Sequence, residues 1–348
     1  MEADIAIVGA GIVGCVIARE VIARAPGTSL VMFDRDAVGG GASRRSAGLH
    51  LPRGSTDRVR RMSEYSQDYY ARLKAGSPTL PIHERGMSVV AAAGSAPKLA
   101  EVYLESARLT PTDEVPGIRL PDQMQAWTGV GCQYADVQAL TQALAAQLRG
   151  RIGLREGVRV DGIDARRDGV ALRLSTGETF VAHQVVLAPG PWLAATAWRE
   201  LLAPLGNRVK KVVALHVEQT PADDDQVVVF QDEDAFLLPL GQRGHWLYSY
   251  TCTEWDVDPD TVDGGLLARD LDEAREHLRG YAPAMAERCT SGRVFCDAYS
   301  RTGDPRVRPL DSDGRIVFAG AANGSGYRLA PAMASEAADL LHLVRSHA

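Results

Sequence analysis

Cysteine is scarce in this sequence, and the spacing of the few cysteines forms no recognisable framework. The five residues, Cys15, Cys132, Cys252, Cys289 and Cys296, are odd in number, and no two of them form a CxxC pair. Neither a disulfide framework nor a zinc site is therefore indicated. Reduced thiols in a cytoplasmic protein are the simplest interpretation.

Long apolar runs and an excess of positive charge are also missing. No run approaches the roughly 18 to 20 apolar residues of a membrane-spanning helix, and the chain enters a predicted strand at once, which leaves no room for a signal peptide. The net charge is −6 and the pI is near 5.8, so there is no basic field for nucleic acid. We expect a cytoplasmic protein with no transmembrane segment and no nucleic-acid partner.

What the sequence does contain is enough apolar residues for a well-buried core. Its 348 residues are 45% apolar and 24% charged, which suits a globular protein of two domains. Segments that alternate strand and helix are interrupted by stretches of alternating strands. This pattern predicts an α/β fold with a parallel sheet, together with a second, mixed and largely antiparallel sheet.

A complete βαβ unit opens the chain at residues 4 to 36. A buried strand leads into Gly9-x-Gly11-x-x-Gly14, an apolar-striped helix, a Pro-Gly stop and a second strand that ends in Asp34. Strand, glycine turn, helix and acid in this order predict a dinucleotide-binding unit. The alternative is a glycine turn that serves packing alone.

Each residue type in this unit has a physical task. Gly9 permits a tight turn, Gly11 lets the backbone approach a pyrophosphate, and Gly14 lets the helix pack closely on the strand. The phosphates would lie at the helix N-terminus, and Asp34 would accept hydrogen bonds from ribose hydroxyls. The unit thus predicts the ADP half of NAD or FAD. The other residues assigned to this site are Ile12, Val13 and Arg35.

A second stretch of small residues, 37 to 54, favours the flavin. A nicotinamide enzyme has no need of it, whereas the longer FAD must be threaded through the protein interior. The alternative is a mobile surface loop. The residues of this stretch assigned to the cofactor are Ser43, Arg44, Arg45, Ala47, Gly48 and Leu49.

Five segments in this order resemble the D-amino-acid oxidase superfamily of flavoproteins, which includes glycine oxidase, sarcosine oxidase and D-amino-acid dehydrogenases. Besides the two stretches above, residues 129 to 148 resemble the helix that leads back into the cofactor domain. Residues 154 to 163 and 183 to 192 resemble two strands beside the cofactor. The resemblance implies a Rossmann-like FAD-binding domain and a substrate-binding domain. It also assigns Val158, Ala188, Gly190 and Trp192 to the cofactor site.

A second glycine loop lies near the C-terminus. In such folds a strand, here 315 to 320, runs into a glycine loop and then a helix, which we expect to begin near Ala330 with Pro331 in its first turn. Backbone N–H groups and the positive helix end would stabilise negative charge on the reduced flavin ring. The residues assigned to this end of FAD are Gly320, Gly324, Ser325, Gly326, Tyr327, Arg328 and Leu329.

The resemblance also implies the domain boundaries. The FAD-binding domain would be discontinuous, and the blocks between its parts would form one sheet that covers the flavin. The predicted FAD-binding blocks are 1–80, 129–205 and 294–348, and the predicted substrate-binding blocks are 81–128 and 206–293.

The candidate catalytic residues are Arg301, His50, Tyr248 and Tyr250. Arg301 resembles the arginine of the family's G-x-R-P segment, which binds the substrate carboxylate and lies beside the cofactor; a surface salt bridge is the alternative. Tyr248 and Tyr250 alternate on one strand, so both point to one face, where either hydroxyl would close the substrate pocket unless both are core residues. His50 is a candidate base beside the flavin or a structural histidine. Arg53 also falls beside a flavin loop.

Two departures from the family bear on the cofactor and on its reoxidation. Some relatives attach the flavin to a cysteine, but Asp297 stands at that position and Cys296 is one residue displaced, so we expect noncovalent FAD. Sarcosine-oxidase-like members activate oxygen with a lysine expected here near Trp246 to Tyr248. No lysine occurs between 212 and 348. The electron acceptor is thus oxygen or a quinone.

The resulting hypothesis is an FAD-dependent amine or amino-acid oxidoreductase. Hydride would pass from the substrate carbon to the flavin, and the imine would hydrolyse. One alternative is an FAD-dependent 2-hydroxy-acid dehydrogenase, which depends more on a base such as His50. Others are an NAD-dependent dehydrogenase and a catalytically silent flavoprotein.

Overall fold

The computed structural model describes residues 2–262 and 265–343. In chain order the strands are β1 (Glu2–Val8), β2 (Leu30–Phe33), β3 (Leu49–His50), β4 (Ile82–Ala92), β5 (Thr110–Thr112), β6 (Met124–Ala135), β7 (Gly153–Arg155), β8 (Val160–Arg166), β9 (Gly169–Leu174), β10 (Thr179–Leu187), β11 (Arg208–Val217), β12 (Val227–Phe230), β13 (Ala235–Leu240), β14 (His245–Tyr250), β15 (Cys289–Tyr299), β16 (Arg306–Pro309) and β17 (Ile316–Gly320). The α-helices are α1 (Ile12–Arg24), α2 (Ala42–Arg45), α3 (Asp57–Gly76), α4 (Ala96–Val102), α5 (Val137–Leu148), α6 (Arg199–Leu202), α7 (Ala268–Arg279), α8 (Pro283–Ala286) and α9 (Gly326–Leu340).

The first sheet has the strand order β16-β17-β10-β1-β2-β7. Strand β1 runs parallel to both β2 and β10, and β10 runs parallel to β17. Strand β1 is almost continuously apolar and buried, as expected for a parallel strand covered on both faces. Because parallel strands end at one edge, the turns after β1, β2, β10 and β17 lie side by side there.

The second sheet has the order β15-β11-β14-β13-β12-β4-β6-β3, with β5 added beside β6. Its neighbouring strands are antiparallel except β4 and β12. One face, which includes Tyr248 and Val213, packs against α7 and α8. The opposite face, which includes Leu247 and Ala214, packs against Leu51 and the segment before it, including Ala42, Ala47 and Leu49.

The predicted domain division remains a prediction, and two strands cross its boundaries. Strand β6 begins before residue 129, and β15 begins before residue 294. Both are long strands of the second sheet, and each therefore contributes residues to both predicted domains.

The start of helix α9 differs from the expectation. The helix begins at Gly326 rather than near Ala330, so Pro331 lies inside it. A proline has no N–H for the carbonyl four residues earlier, which here is that of Tyr327. The hydroxyl of Tyr70 donates to this carbonyl at 2.6 Å, and this bond replaces the missing one.

None of the helices in the described ranges combines the length and apolar character that a bilayer crossing requires. All five cysteines are described, and all are buried without a disulfide among them.

Candidate cofactor and substrate site

A cavity of about 730 Å³ lies at the edge where the parallel strands end. Asp34 follows β2 and Gly320 ends β17, so the cavity crosses the ends of the strands from β2 through β1 and β10 to β17. Most residues assigned to the cofactor line it: Gly9, Gly11, Ile12, Val13, Asp34, Arg35, Ser43, Arg44, Arg45, Val158, Ala188, Gly190, Trp192, Gly320, Gly324, Gly326 and Tyr327. The assigned residues outside its lining are Gly14, Ala47, Gly48, Leu49, Arg301, Ser325, Arg328 and Leu329.

The first glycine turn leaves no room for a side chain. Gly9 has φ +108°, and a Cβ atom there would lie 2.2 Å from the carbonyl oxygen of Ala188. A Cβ at Gly14 would lie 1.9 Å from the Gly9 carbonyl oxygen. Gly14 therefore serves the close packing of helix on strand, whereas Gly9 and Gly11 present bare backbone to the cavity.

The carboxylate of Asp34 lies at the β2 end of the cavity. Its oxygens accept hydrogen bonds from the backbone N–H groups of Ala10 at 2.7 Å and Asp36 at 2.9 Å. Burial raises the pKa of this carboxyl against the opposing effect of those bonds. A carboxylate has about four acceptor positions, so it retains capacity for ribose hydroxyls.

The stretch after β2 is tied to the first glycine turn. The Ser43 hydroxyl accepts a hydrogen bond at 3.0 Å from the N–H of Ile12, at the start of α1. Arg293 donates from Nε to the Arg45 carbonyl at 2.7 Å. Gly48 has a packing role, because a Cβ there would lie 2.0 Å from the Ala135 carbonyl oxygen.

The loop that follows β14 and contains Asp260, here called the strap, covers the β2 end of the cavity. The sequence did not indicate this feature. The carboxylate of Asp260 accepts hydrogen bonds from Arg35 at 2.6 Å and from the indole N–H of Trp192 at 2.7 Å. The Arg35 guanidinium also lies 4.3 Å from the Trp192 ring centroid. Asp260 lines the cavity, so these bonds hold the strap over it.

An Asp260→Asn substitution is expected to speed cofactor release by about fivefold. The two bonds lie near the surface, where such pairs contribute about 1 kcal/mol. Release is followed by the fluorescence of free flavin after dilution. Asp256→Asn is the matched control, since Asp256 is in the same segment and pairs with Arg208 outside the cavity lining. Equal rates of flavin release from the wild type and both variants would refute the role of the strap in holding the cofactor.

The C-terminal glycine loop lies at the opposite end of the cavity. Gly320, Gly324 and Gly326 line it, and the Asn323 side chain fixes the loop by accepting from the Ser300 N–H at 2.9 Å. Positive φ angles at Ala321 and Asn323 show that the loop is a tightly wound turn. The two glycine turns therefore lie at opposite ends of one cavity.

Asp297 lines the cavity beside this loop. It is opposite Lys210 in the β11–β15 register, and one carboxylate oxygen lies 3.9 Å from the Cβ position of Gly324. No hydrogen bond or ion pair is found for its carboxylate among the described residues. Burial raises its pKa to about 7. The Cys296 side chain packs in an apolar cluster with Ala298.

An Asp297→Asn substitution is expected to remove a pH dependence of stability from the FAD-free protein. An unfolded aspartate has a pKa near 3.9, and the pKa of Asp297 in the folded protein is higher. The neutral carboxyl therefore makes its full contribution to the free energy of unfolding below pH ~4, and this contribution is lost as the pH rises through ~7. Denaturant unfolding should show the wild-type free energy falling by roughly 4 kcal/mol relative to the variant over that range. Exposed Asp223→Asn is the control. Parallel curves for wild type and Asp297→Asn would contradict the assignment.

The structure does not bring the four candidate catalytic residues to the cavity. Arg301 is exposed and donates from Nε to the Gly206 carbonyl at 3.2 Å. Tyr248 and Tyr250 share a face as expected, but it is the one packed under α7, where the Tyr250 hydroxyl donates to Glu273 at 2.9 Å. His50 is fully buried, and desolvation lowers its pKa to about 3, so it is neutral and inaccessible.

Two other arginines meet beside the C-terminal loop. Arg328 donates to the Arg53 carbonyl at 2.8 Å and to the Ser325 hydroxyl at 2.8 Å. Burial and the nearby Arg53 lower the pKa of Arg328 to about 9. Arg53 donates to Gln231 at 3.0 Å and lies 3.6 Å from the Asp234 carboxylate. The Asp234 side chain is 70% exposed, so it neutralises this pair only weakly.

Comparison with known proteins identifies the family of this chain. A family model described as FAD dependent oxidoreductase, the DAO family, matches residues 4–340. The chain belongs to the DAO family. Its expected cofactor, FAD, and its classification as an FAD-dependent oxidoreductase are thereby confirmed. No curated protein matches the sequence at a significant level.

Solved structures of similar fold agree with this assignment. NikD, described as an unusual amino acid oxidase essential for nikkomycin biosynthesis, is 19% identical with a TM-score of 0.81, over 100% of this chain and 95% of that one. Glycine oxidase from Geobacillus kaustophilus is 18% identical with a TM-score of 0.79, over 99% and 96%. L-α-glycerophosphate oxidase from Mycoplasma pneumoniae, solved with FAD bound, is 16% identical with a TM-score of 0.80, over 100% and 97%. These likenesses confirm the predicted fold class.

The residues of this DAO-family cavity fit FAD. Gly9 and Gly11 form a bare backbone cradle at the start of α1, where a pyrophosphate is stabilised. Asp34 suits the ribose of the same half. The long cavity then leads to the second glycine loop and the start of α9, which suit the flavin ring.

Proposed function

We propose that the protein oxidises the C–N bond of an amino acid, or of a secondary amine that carries a carboxylate. FAD, when bound, supplies the hydride acceptor, and the resulting imine hydrolyses to a keto acid or an aldehyde. The observation that carries this proposal is the half-buried guanidinium of Arg328, which has no ion-pair partner among the described residues. NikD and glycine oxidase, whose names refer to amino-acid chemistry, lend further support.

Arg328 and Arg53 are suited to hold the substrate carboxylate. A cation withdrawn from water is unfavourable unless an anion accompanies it, and the positive charge of the nearby Arg53 acts on Arg328 and adds to the attraction for an anion. The backbone carbonyl of Arg53 and the hydroxyl of Ser325 use only two of the five N–H donors of Arg328. These two contacts fix the orientation of the Arg328 guanidinium group. Arg328 and Arg53 thus replace Arg301 in the anchoring role.

The position of His50 favours an amine over a 2-hydroxy acid. An alcohol must lose its hydroxyl proton during hydride transfer, which calls for a base in contact with the substrate. His50 was the candidate base, yet it is buried outside the cavity lining. An amine can release its ammonium proton to solvent before hydride transfer, and the neutral amine then gives an iminium ion directly, so no base is needed at that step.

We further propose noncovalent FAD, with oxygen or a quinone as the electron acceptor. Cys296 is among the residues that line the cavity, but its thiol group is buried in an apolar cluster, and Asp297 beside it has no thiol to attach a flavin. On β14 the residues that face the cofactor side are His245, Leu247 and Ser249, and none of them is a lysine. The cation that some relatives use to activate oxygen is therefore missing from this strand.

Anaerobic reduction of the bound flavin tests the proposal. A panel of D- and L-amino acids, N-alkyl glycines and 2-hydroxy acids is mixed with the FAD-loaded protein, and the loss of the visible flavin absorbance is recorded. Bleaching by amines with a carboxylate, but not by the matching hydroxy acids, is expected. Bleaching by hydroxy acids alone would replace the proposal with the alternative. The acceptor is then identified by mixing the reduced protein with oxygen or a soluble quinone.

A further inference from the structure

Lys210 is an unpaired cation on the cofactor-facing side of the second sheet. It is 8% exposed, and its ammonium has no ion pair or hydrogen bond among the described residues. The ring centroids of Trp255 and Tyr299 lie 5.2 Å and 5.4 Å from the nitrogen. The two aromatic faces hold the ammonium without neutralising its charge.

The adjacent residue, Lys211, forms the ion pairs with carboxylates that are usual for a buried lysine. Lys211 points to the opposite face, where its ammonium binds Glu254 at 2.8 Å and Asp270 at 2.7 Å. Such a buried triad is the usual way to hold a lysine inside a protein. Lys210 lacks this arrangement, although it is one residue away on the same strand.

The strand register places Lys210 beside the substrate region. Residues directly opposite in an antiparallel pair share a face, and Lys210 is opposite Asp297, which lines the cavity. The Tyr299 hydroxyl lies 3.1 Å from the Cβ position of Gly324 in the C-terminal loop. Lys210 and its aromatic wall therefore adjoin the loop from which Arg328 extends.

The charges in this region do not balance. The Asp234 carboxylate acts on both Lys210 and Arg328 and lies near Arg53. Asp297 has a pKa of about 7 and is only partly ionised at neutral pH. The exposed carboxylate of Asp234 is thus the one carboxylate among the described residues that acts on all three cations. A substrate with a single carboxylate, held by the arginines, leaves Lys210 without an anion.

We propose that the substrate carries a second anionic group, a side-chain carboxylate, which binds Lys210 while Arg53 and Arg328 hold the first. The substrate class is then an acidic amino acid or an N-substituted derivative of one. This inference rests on the proposed function for the first carboxylate only. Lys210 acts as a specificity-determining residue, and its aromatic neighbours fix the position of the ammonium.

Kinetics of anaerobic flavin reduction test the preference. Aspartate and glutamate, as both enantiomers, are compared with asparagine and glutamine, which have nearly the same shape and one charge fewer. The half-saturating concentration of the preferred acid should be at least tenfold lower than that of its amide. Lys210→Met should abolish this difference by weakening the acid, with the amide unchanged. Exposed Lys98→Met is the control and should retain the difference. Equal values for acid and amide in the wild type, or equal losses for both in Lys210→Met, would overturn the proposal.

Binding of unreactive acids separates this inference from the amine chemistry. Succinate carries two carboxylates and butyrate one, and neither has an amine to oxidise. Perturbation of the visible spectrum of the FAD-loaded protein should give a tighter dissociation constant for succinate, and Lys210→Met should remove the advantage. This result would support the second anion site even if no amine bleached the flavin. Equal binding of the two acids by the wild type would refute it.

Discussion

A Gly9→Ala substitution is expected to abolish retention of FAD and to lower the free energy of unfolding by about 4 kcal/mol or more. The added Cβ would lie 2.2 Å from a backbone oxygen, that of Ala188 at the end of β10. Backbone cannot move aside as a flexible side chain does, so β1 and β10 would have to separate at their paired ends. The flavin-to-protein absorbance ratio and denaturant unfolding measure the two effects.

Gly157→Ala is the matched control for Gly9→Ala. Gly157 also has a positive φ, +71°, but a Cβ there would meet nothing within 4 Å. It should lose only about 1 to 2 kcal/mol from backbone strain and keep its FAD. A Gly9→Ala protein with one FAD per chain and native stability would show that the turn does not hold the cofactor as described.

An Arg328→Met substitution is expected to lower kcat/KM for carboxylate-bearing amines about a thousandfold, or roughly 4 kcal/mol. Methionine keeps much of the apolar stem and removes the charge. Amines without a carboxylate should be affected far less, since they gain nothing from the guanidinium. Steady-state kinetics with both amine classes measure the difference, and the visible flavin spectrum shows whether FAD is still bound.

Two companion variants separate anchoring from structural damage. Arg328→Lys restores a cation and should recover part of the affinity for carboxylates. Arg301→Met removes an exposed guanidinium whose one hydrogen bond within the described ranges goes to the Gly206 carbonyl, and it should leave both substrate classes unchanged. If Arg301→Met caused the large loss and Arg328→Met did not, the original assignment of Arg301 would stand and the present one would fall.

The cofactor half of the site was predictable because its information is local. The spacing from Gly9 to Asp34 lies within one βαβ unit, so each residue's role follows from neighbours a few positions away. The strand order then places Val158 and Ala188 at the same edge. Most residues assigned to FAD line the cavity for this reason.

The substrate half was less predictable because it depends on how distant strands pair. The alternation of Tyr248 and Tyr250 correctly placed them on one face, but only the packing of α7 shows which face that is. Arg301 lies beyond the end of β15, and the residue of that strand nearest to it that faces the cofactor side is Tyr299, two residues earlier. No local sequence pattern distinguishes Lys210, because only its register with Asp297 brings it to the site.

The strap illustrates a third case, in which nothing local indicates function. Asp260 lies in an acidic segment that reads as a solvated loop. Its partners Arg35 and Trp192 are 225 and 68 residues away. No spacing rule connects positions so far apart, so such a contact is visible only in the folded chain.

A crystal structure of the FAD-loaded protein with succinate tests the central claim most directly. We expect the pyrophosphate at the turn of Gly9 and Gly11, the flavin ring between the C-terminal glycine loop and the second sheet, one carboxylate on Arg328 and the other on Lys210. A flavin ring far from Gly324, or a succinate bound away from both cations, would contradict the account.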